Sequence, residues 1–283
     1  MSIITLLTDF GTADYFVGAL KGAILSVNAR ARIVDLTHEI SAHDVQAGAF
    51  NLLAAYSDFP PGTIHVAVVD PGVGSTRRPL LVATQNYFFV GPDNGLFSYV
   101  CEGEHDVRVY HVTNEKFFRA PLSATFHGRD IFAPVAAALS NNVAPETFGE
   151  LIEDYARLKS LRPVRDDGGG GEAWSAAIIH VDRFGNLITN ITRREVAGEE
   201  FSRGAKLEIG GREINSFRRF YADDAGVAGD ELFAIWGSAG FLEIAADCAS
   251  AAKMLRAERG HAVRVTPLES TEKVARRRAP GIN

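Results

Sequence analysis

A chain of 283 residues with 46% hydrophobic and 23% charged residues has the composition of an ordinary globular protein, long enough for one large or two modest domains. A formal net charge of −6 argues against a nucleic-acid partner held by phosphate contacts, no apolar run is long enough to span a bilayer, and two cysteines, Cys101 and Cys248, make no disulfide framework. What remains is a small-molecule ligand and an expected cytoplasmic address, since Asp9 interrupts the apolar start before a signal-peptide core can form.

Residues 3–8 read as a first strand that ends on a carboxylate, Asp9, followed by Phe10-Gly11 and a helical pattern over 15–27. A short strand over 33–37 and a helix over 44–56, with Val45, Phe50 and Leu53 on one face, continue the alternation of β and α. Residues 64–69 are too apolar and β-branched to face water, which predicts a strand buried on both sides of a parallel sheet. It too ends on a carboxylate, Asp70. Pro71, Gly72 and Gly74 then force a tight turn, so that Asp70 and Arg77 can fold back on one another, either at a ligand site or as a plain turn with an ion pair. In open α/β sheets the crevice beyond the carboxyl ends of the strands is where ligands bind. Strands over 80–83 and 87–90 flank the turn Gly91-Pro92-Asp93-Asn94-Gly95, and another covers 107–112. Phe126-His127-Gly128-Arg129-Asp130 precedes an alanine-rich helix over 131–139, which sets His127 in a loop at a helix entrance.

The texture changes at 161–173, where Arg162-Pro163 and a run of aspartates and glycines read as a linker. The expected organisation is an N-terminal α/β domain over 1–160, that linker, a β domain over 174–265 and a loosely held tail over 266–283 that carries Arg276-Arg277-Arg278. Strand-like runs over 174–181, 206–209, 231–236, 241–244 and 262–265, separated by glycines, predict a small barrel or sandwich.

Gly72-Val73-Gly74 is not a dinucleotide fingerprint, because it leads into a strand and no phosphate-cradling helix. His38, His43 and Asp44 match no common metal spacing, and nothing around Cys101 would stabilise a thiolate. Phe126 can stack on a flat ring or plug the core. Phe184 beside Asn186 offers an aromatic face and an amide that both donates and accepts, as an adenine edge requires, although Gly185-Asn186 is also a plain turn. Gly237-Ser238-Ala239-Gly240 permits close approach of a ligand, or makes a hairpin.

Taken together, Thr8-Asp9-Phe10-Gly11, the stretch from Val69 to Gly74, Arg77, the Gly91 to Gly95 turn, the Phe126 to Asp130 segment, Asp182-Arg183-Phe184-Gly185-Asn186 and the run from Gly237 to Ile244 resemble the S-adenosylmethionine (SAM) hydroxide adenosyltransferase family. These adenosine-forming SAM hydrolases are related to the SAM-dependent fluorinase and chlorinase. The resemblance covers nearly the whole chain, in order. It implies a Rossmann-like N-terminal α/β domain with a mostly parallel sheet, a smaller C-terminal β-barrel, SAM as substrate with no cofactor or metal, and a homotrimer in which SAM lies between one subunit's first domain and its neighbour's second.

Residue by residue, Asp70, Arg77 and His127 match the family's hydrolytic triad, and in the halogenating relatives a tyrosine replaces each of the positions matching Asp70 and His127. Asp9 matches the carboxylate that grips the ribose hydroxyls, Phe184 and Asn186 the adenine contacts, and Asp182, Ser238 and Glu243 groups around the methionine portion. Phe126 and Gly128 are carried as further substrate contacts. Phe16 and Ala246-Asp247-Cys248 depart from the pattern. Family members have been linked to the R sulfonium epimer of SAM, which implies a housekeeping role. The rival readings are a halogenase, in which Gly128 would fit a chloride site but Asp70 would repel the anion, and a sensor that binds SAM or adenosine without turnover.

Overall fold

The computed structural model describes residues 2–166, 173–194, 204–223 and 232–268. The chain divides into two compact units, residues 1–160 and 161–283. It is mixed α/β, built on two sheets, with no helix long and apolar enough to cross a membrane among the described residues.

In unit 1, β1 (Ile3–Thr8), β2 (Arg32–Thr37), β3 (Ile64–Val68), β4 (Pro79–Ala83), β5 (Phe88–Pro92), β6 (Arg108–Val112) and β7 (Gly149–Ile152) make one sheet in the order β2-β1-β3-β5-β4-β6-β7. The pairings β1 to β2, β1 to β3 and β3 to β5 are parallel, whereas β4 pairs antiparallel with β5 and β6, and β6 with β7. The sheet is thus parallel on one side and antiparallel on the other, a more mixed sheet than the mostly parallel expectation. The reason lies in the connections: β4 reaches β5 through a short turn at Thr84–Tyr87, which can join only antiparallel neighbours.

Helices α1 (Phe16–Val27), α2 (Val45–Ala55), α3 (Ser98–Gly103) and α4 (Ala133–Ser140) cover the sheet. Ile4, Leu6, Ile64, Val66 and Val68 form one core with Leu20 and Ile24 of α1 and with α4. The residues of α4 from Ala133 to Leu139 are all buried, and alanine is small enough to let a helix lie that close. On the other face His65 is fully buried among Tyr56, Phe59, Tyr87 and Phe89, its Nδ1 2.7 Å from Thr5 Oγ1, and burial pushes its pKa down to about 3. α2 approaches through Gly48, where a Cβ would meet Leu96 Cδ1 at 2.9 Å and Val69 Cγ2 at 3.0 Å.

Unit 2 contains β8 (Val164–Asp166), β9 (Ala173–Val181), β10 (Leu187–Thr192), β11 (Ala205–Ile209), β12 (Arg212–Ile214), β13 (Phe217–Arg218), β14 (Leu232–Trp236), β15 (Phe241–Ala246), α5 (Ala251–Leu255) and β16 (Ala262–Pro267). They pair in the order β12-β11-β16-β9-β10-β15-β14-β13, with β8 added on β9. All pairings are antiparallel except β13 to β14, and among the described residues β12 and β13 are not paired with each other, so the sheet is an open, curled half-barrel. Strand β8 lies inside the stretch read as a linker. The glycines 168–171, residue 231 and the basic tail lie outside the described residues.

Candidate active site

Register in unit 1 decides where the two strand-ending carboxylates go. β1 and β3 run parallel with Thr8 opposite Val68, so both strands end at the same rim of the sheet, with Asp9 beyond one and Asp70 beyond the other. Asn94 secures this end, its Nδ2 donating to the Val69 carbonyl at 2.7 Å. Gly74 then lets the Asp70 loop abut the loop before His127. It has φ +78°, and a Cβ there would stand 2.2 Å from the Ala124 carbonyl oxygen.

This approach brings Asp70, Arg77 and His127 together. Arg77 Nε donates to Asp70 Oδ1 at 2.9 Å and Nη2 donates to Asp70 Oδ2, a two-pronged contact with side-chain exposures of only 9% and 5%. The same Nη2 lies 2.8 Å from His127 Nδ1, and the Phe132 ring lies under the guanidinium at 5.3 Å. The pair is therefore not the solvent-exposed ion pair that a plain turn would carry. A guanidinium has only donors, so Nδ1 must accept, and the imidazole is neutral with its proton on Nε2. Burial and the neighbouring Arg77 charge both hold the His127 pKa below the ordinary value, partly opposed by Asp70 and Asp130.

His127 stands at the entrance of a helix, and the first turn, Gly128–Phe132, is a π-turn that continues directly into α4. A cavity of about 290 Å³ opens between these loops, lined by Asp9, Asp70, Phe126, His127 and Gly128, with Phe10, Phe16, Ala42 and His43 among the others. The Phe126 ring is buried and meets Phe10 and Phe16 edge-on, so it walls the cavity and plugs the core at once. Asp9 Oδ2 accepts the backbone N–H of His43 at 2.8 Å, and His43 holds this place with φ +68°. The sequence marks neither His43 nor Ala42 as a cavity residue, since the contact depends on one loop lying over another.

A second cavity, of about 800 Å³, lies in unit 2 and is lined by Asp182, Phe184, Asn186, Ser238 and Glu243 together with Tyr221, Trp236 and Cys248. The turn from β9 to β10 is tied by Asp182, whose Oδ1 accepts the N–H groups of Phe184 at 2.9 Å and Asn186 at 2.8 Å, while Oδ2 accepts from Asn186 Nδ2 at 2.8 Å. Those bonds leave the Phe184 ring 77% exposed, an aromatic face held outward at the cavity. Glu243 points from β15 across Gly237, where a Cβ would stand 1.7 Å from its Oε1. It is 8% exposed, and burial, together with the nearby Asp182 carboxylate, raises its pKa to about 7, against the lowering effect of the Tyr221 hydroxyl. Tyr221 also lies 3.4 Å from Asn186 Nδ2, and no local motif announces it.

Residues 4–149 match the SAM hydroxide adenosyltransferase N-terminal domain and residues 176–264 its C-terminal domain. The chain belongs to this family. It is 35% identical to the (R)-S-adenosyl-L-methionine hydrolase of Methanocaldococcus jannaschii over 91% of this chain and 93% of that one. It is 37% identical to the enzyme of the same name from Salinispora arenicola over 93% and 97%, and 28% identical to a fluorinase of an Actinoplanes species over 93% and 97%. Among solved structures, an uncharacterised conserved protein from Thermotoga maritima aligns with a TM-score of 0.83 at 33% identity, covering 93% of this chain and 99% of that one.

His38, His43 and Asp44 are not gathered as metal ligands. Asp44 Oδ1 instead caps α2 by accepting from Ala47 N at 2.9 Å, and no cluster of three or more His, Cys, Asp or Glu side chains able to hold a metal occurs among the described residues. Burial pushes the Cys101 thiol up to about 11, as befits a structural cysteine.

Proposed function

We propose that this chain hydrolyses SAM to adenosine and methionine, with Asp70, Arg77 and His127 directing a water molecule at the ribose C5′. The observation that carries the reading is the buried Arg77 fork shared between Asp70 and His127 at the rim of a cavity in unit 1. The reaction forms a bond from the water oxygen to C5′ and breaks the bond from C5′ to sulfur, whose electron pair leaves with methionine as a neutral thioether. No acid is needed for that leaving group. The nucleophile is the difficulty, because a water of pKa about 15.7 must be polarised or deprotonated as it attacks.

Within the triad, His127 Nδ1 is engaged by Arg77 and Nε2 is protonated, so the imidazole orients the water as a donor. The Asp70 carboxylate, held by the Arg77 fork, is the remaining acceptor, and it takes the proton. Asp9 would hold the ribose hydroxyls, with Phe126 and Gly128 closing the wall of the same cavity. In unit 2, Phe184 and Asn186 would take the adenine, while Asp182, Ser238 and Glu243 would take the methionine portion, where two acids suit a cationic ligand. The curated relatives named (R)-SAM hydrolases, 35% and 37% identical, support the R sulfonium epimer as a substrate of this chain.

Residues suited to the two parts of SAM are divided between the units, which supports the homotrimer with sites shared between copies. A Rossmann-like first domain and a barrel-type second domain, SAM as the sole small molecule required, and a cytoplasmic setting for two free cysteines complete the reading. A halogenase is the second reading, favoured only by the more distant fluorinase relatives. Asp70 argues against it, because a buried carboxylate disfavours an incoming halide. Incubation with each SAM epimer, with and without chloride, read by mass spectrometry, separates these readings. Adenosine in both conditions supports hydrolysis, 5′-chloroadenosine supports halogenation, and no product supports a sensor.

A further inference from the structure

Beneath the Asp9 loop a chain of side chains runs from the sheet to the surface. Thr8 Oγ1 accepts the backbone N–H of Phe10 at 3.2 Å, which leaves its own hydrogen to donate to His38 Nδ1, 2.9 Å away. With Nδ1 accepting from Thr8, Nε2 carries the ring's N–H and faces the Asp35 carboxylate, 3.2 Å from Oδ1, with an alignment that falls short of a hydrogen bond. Asp35 in turn accepts from Lys21 Nζ at 2.6 Å. Both Thr8 and His38 are buried, at the end of β1 and just beyond β2. The main chain repeats the tie: Gly11 N donates to the His38 carbonyl at 2.7 Å, and His43 N donates to Asp9 Oδ2 at 2.8 Å.

From these contacts we infer that His38 is a positioning residue for the Asp9 carboxylate, locking residues 8–11 to residues 38–43 so that one wall of the unit 1 cavity is set before substrate arrives. His38 itself is not among the residues lining that cavity, whereas Asp9, Phe10, Ala42 and His43 are. A loop that ends a strand has no sheet partner to fix it, and here the buried imidazole supplies that restraint from beneath. On the hydrolase reading Asp9 grips the ribose in the ground state, and its carboxylate is tied to His43 N rather than to the Arg77 fork, so loosening it should weaken substrate binding more than it slows the chemical step.

The kinetic consequence rests on the hydrolase reading; the structural half does not. In full-length protein, His38→Leu removes both ring nitrogens, whereas His38→Asn keeps an acceptor near the position of Nδ1 for Thr8. Thr8→Val breaks the same link from the other side but also removes the acceptor of the Phe10 N–H, so in this variant the peptide spanning residues 38–43 is the one that reports on His38. Hydrogen exchange should accelerate in peptides spanning residues 8–11 and 38–43 in the Leu and Val variants, but not in the Asn variant. For SAM hydrolysis, His38→Leu should raise KM about tenfold or more with kcat within about threefold of wild type, and His38→Asn should restore KM to within about threefold. Unchanged exchange in both His38→Leu and Thr8→Val would overturn the positioning role. So would faster exchange with unchanged KM, or equal impairment by Leu and Asn. If wild-type protein does not turn over SAM, the hydrolase reading fails instead, and the exchange comparison alone decides the role of His38.

Discussion

At the scale of single residues, the decisive contact is one nitrogen, Arg77 Nη2, which serves Asp70 and His127 at once. Removing the Asp70 charge leaves a guanidinium buried with a neutral partner, and breaking a buried pair costs about 3–5 kcal/mol. The melting temperature of Asp70→Asn should therefore fall, and activity must be measured where the variant is folded. Under those conditions kcat should drop about 10²-fold or more, with SAM binding by calorimetry within about tenfold. His127→Ala should do the same with less cost in stability, and the double variant should be little worse than either. Near wild-type turnover in folded Asp70→Asn would remove Asp70 as the proton acceptor. The pH profile carries the sign of the His127 shift: the proposed mechanism requires the neutral ring, and because its pKa is lowered the acid limb in kcat should lie below the ordinary value of 6.5.

At the scale of elements, most of unit 1 was legible because its buried strands are β-branched runs punctuated by carboxylates and glycines. β1 spans Ile3–Thr8 and β3 spans Ile64–Val68, each within a residue of the expected bounds, and so Asp9 and Asp70 could be set at strand ends from sequence. The short strands β7, β8, β12 and β13, and the helix α3, were not legible, since too few residues show a period. β10 carries no clear strand signal because Asn190 and its threonines dilute the apolar pattern, although Asn190 is buried and its Oδ1 accepts from Ala177 N at 2.8 Å. The π-turn at Gly128–Phe132 has no local signature either.

The hairpin of β14 and β15 carries its own prediction through Glu243. A carboxyl whose folded pKa of about 7 stands above the ordinary 4.5 is neutral in acid and charged above neutrality, so the cavity of unit 2 gains a negative charge as pH rises through 7. A cationic substrate should then bind more tightly: KM for SAM should fall as pH rises from 6 to 8, and Glu243→Gln should flatten that dependence. The same linkage makes Glu243 favour the folded state most below pH 4.5, an advantage lost as pH rises toward 7. An unchanged KM profile in Glu243→Gln would place the titrating group elsewhere.

At the scale of the molecule, the candidate groups fall into two sets, one at the strand ends of unit 1 and one at the turns of unit 2. Sequence order separates Arg77 from His127 by fifty positions, and only the mutual approach at Gly74 and Ala124 makes them neighbours. Tyr221 and Trp236 join the second set with no motif to mark them, because cavity walls are chosen by curvature of a sheet and not by local pattern. On the proposed reading, the two sets serve to deliver one water to one carbon. Turnover of SAM in heavy-oxygen water tests that claim most directly. Adenosine carrying one heavy oxygen at its 5′ hydroxyl is the predicted product, and adenosine formed without label would contradict attack by water at C5′.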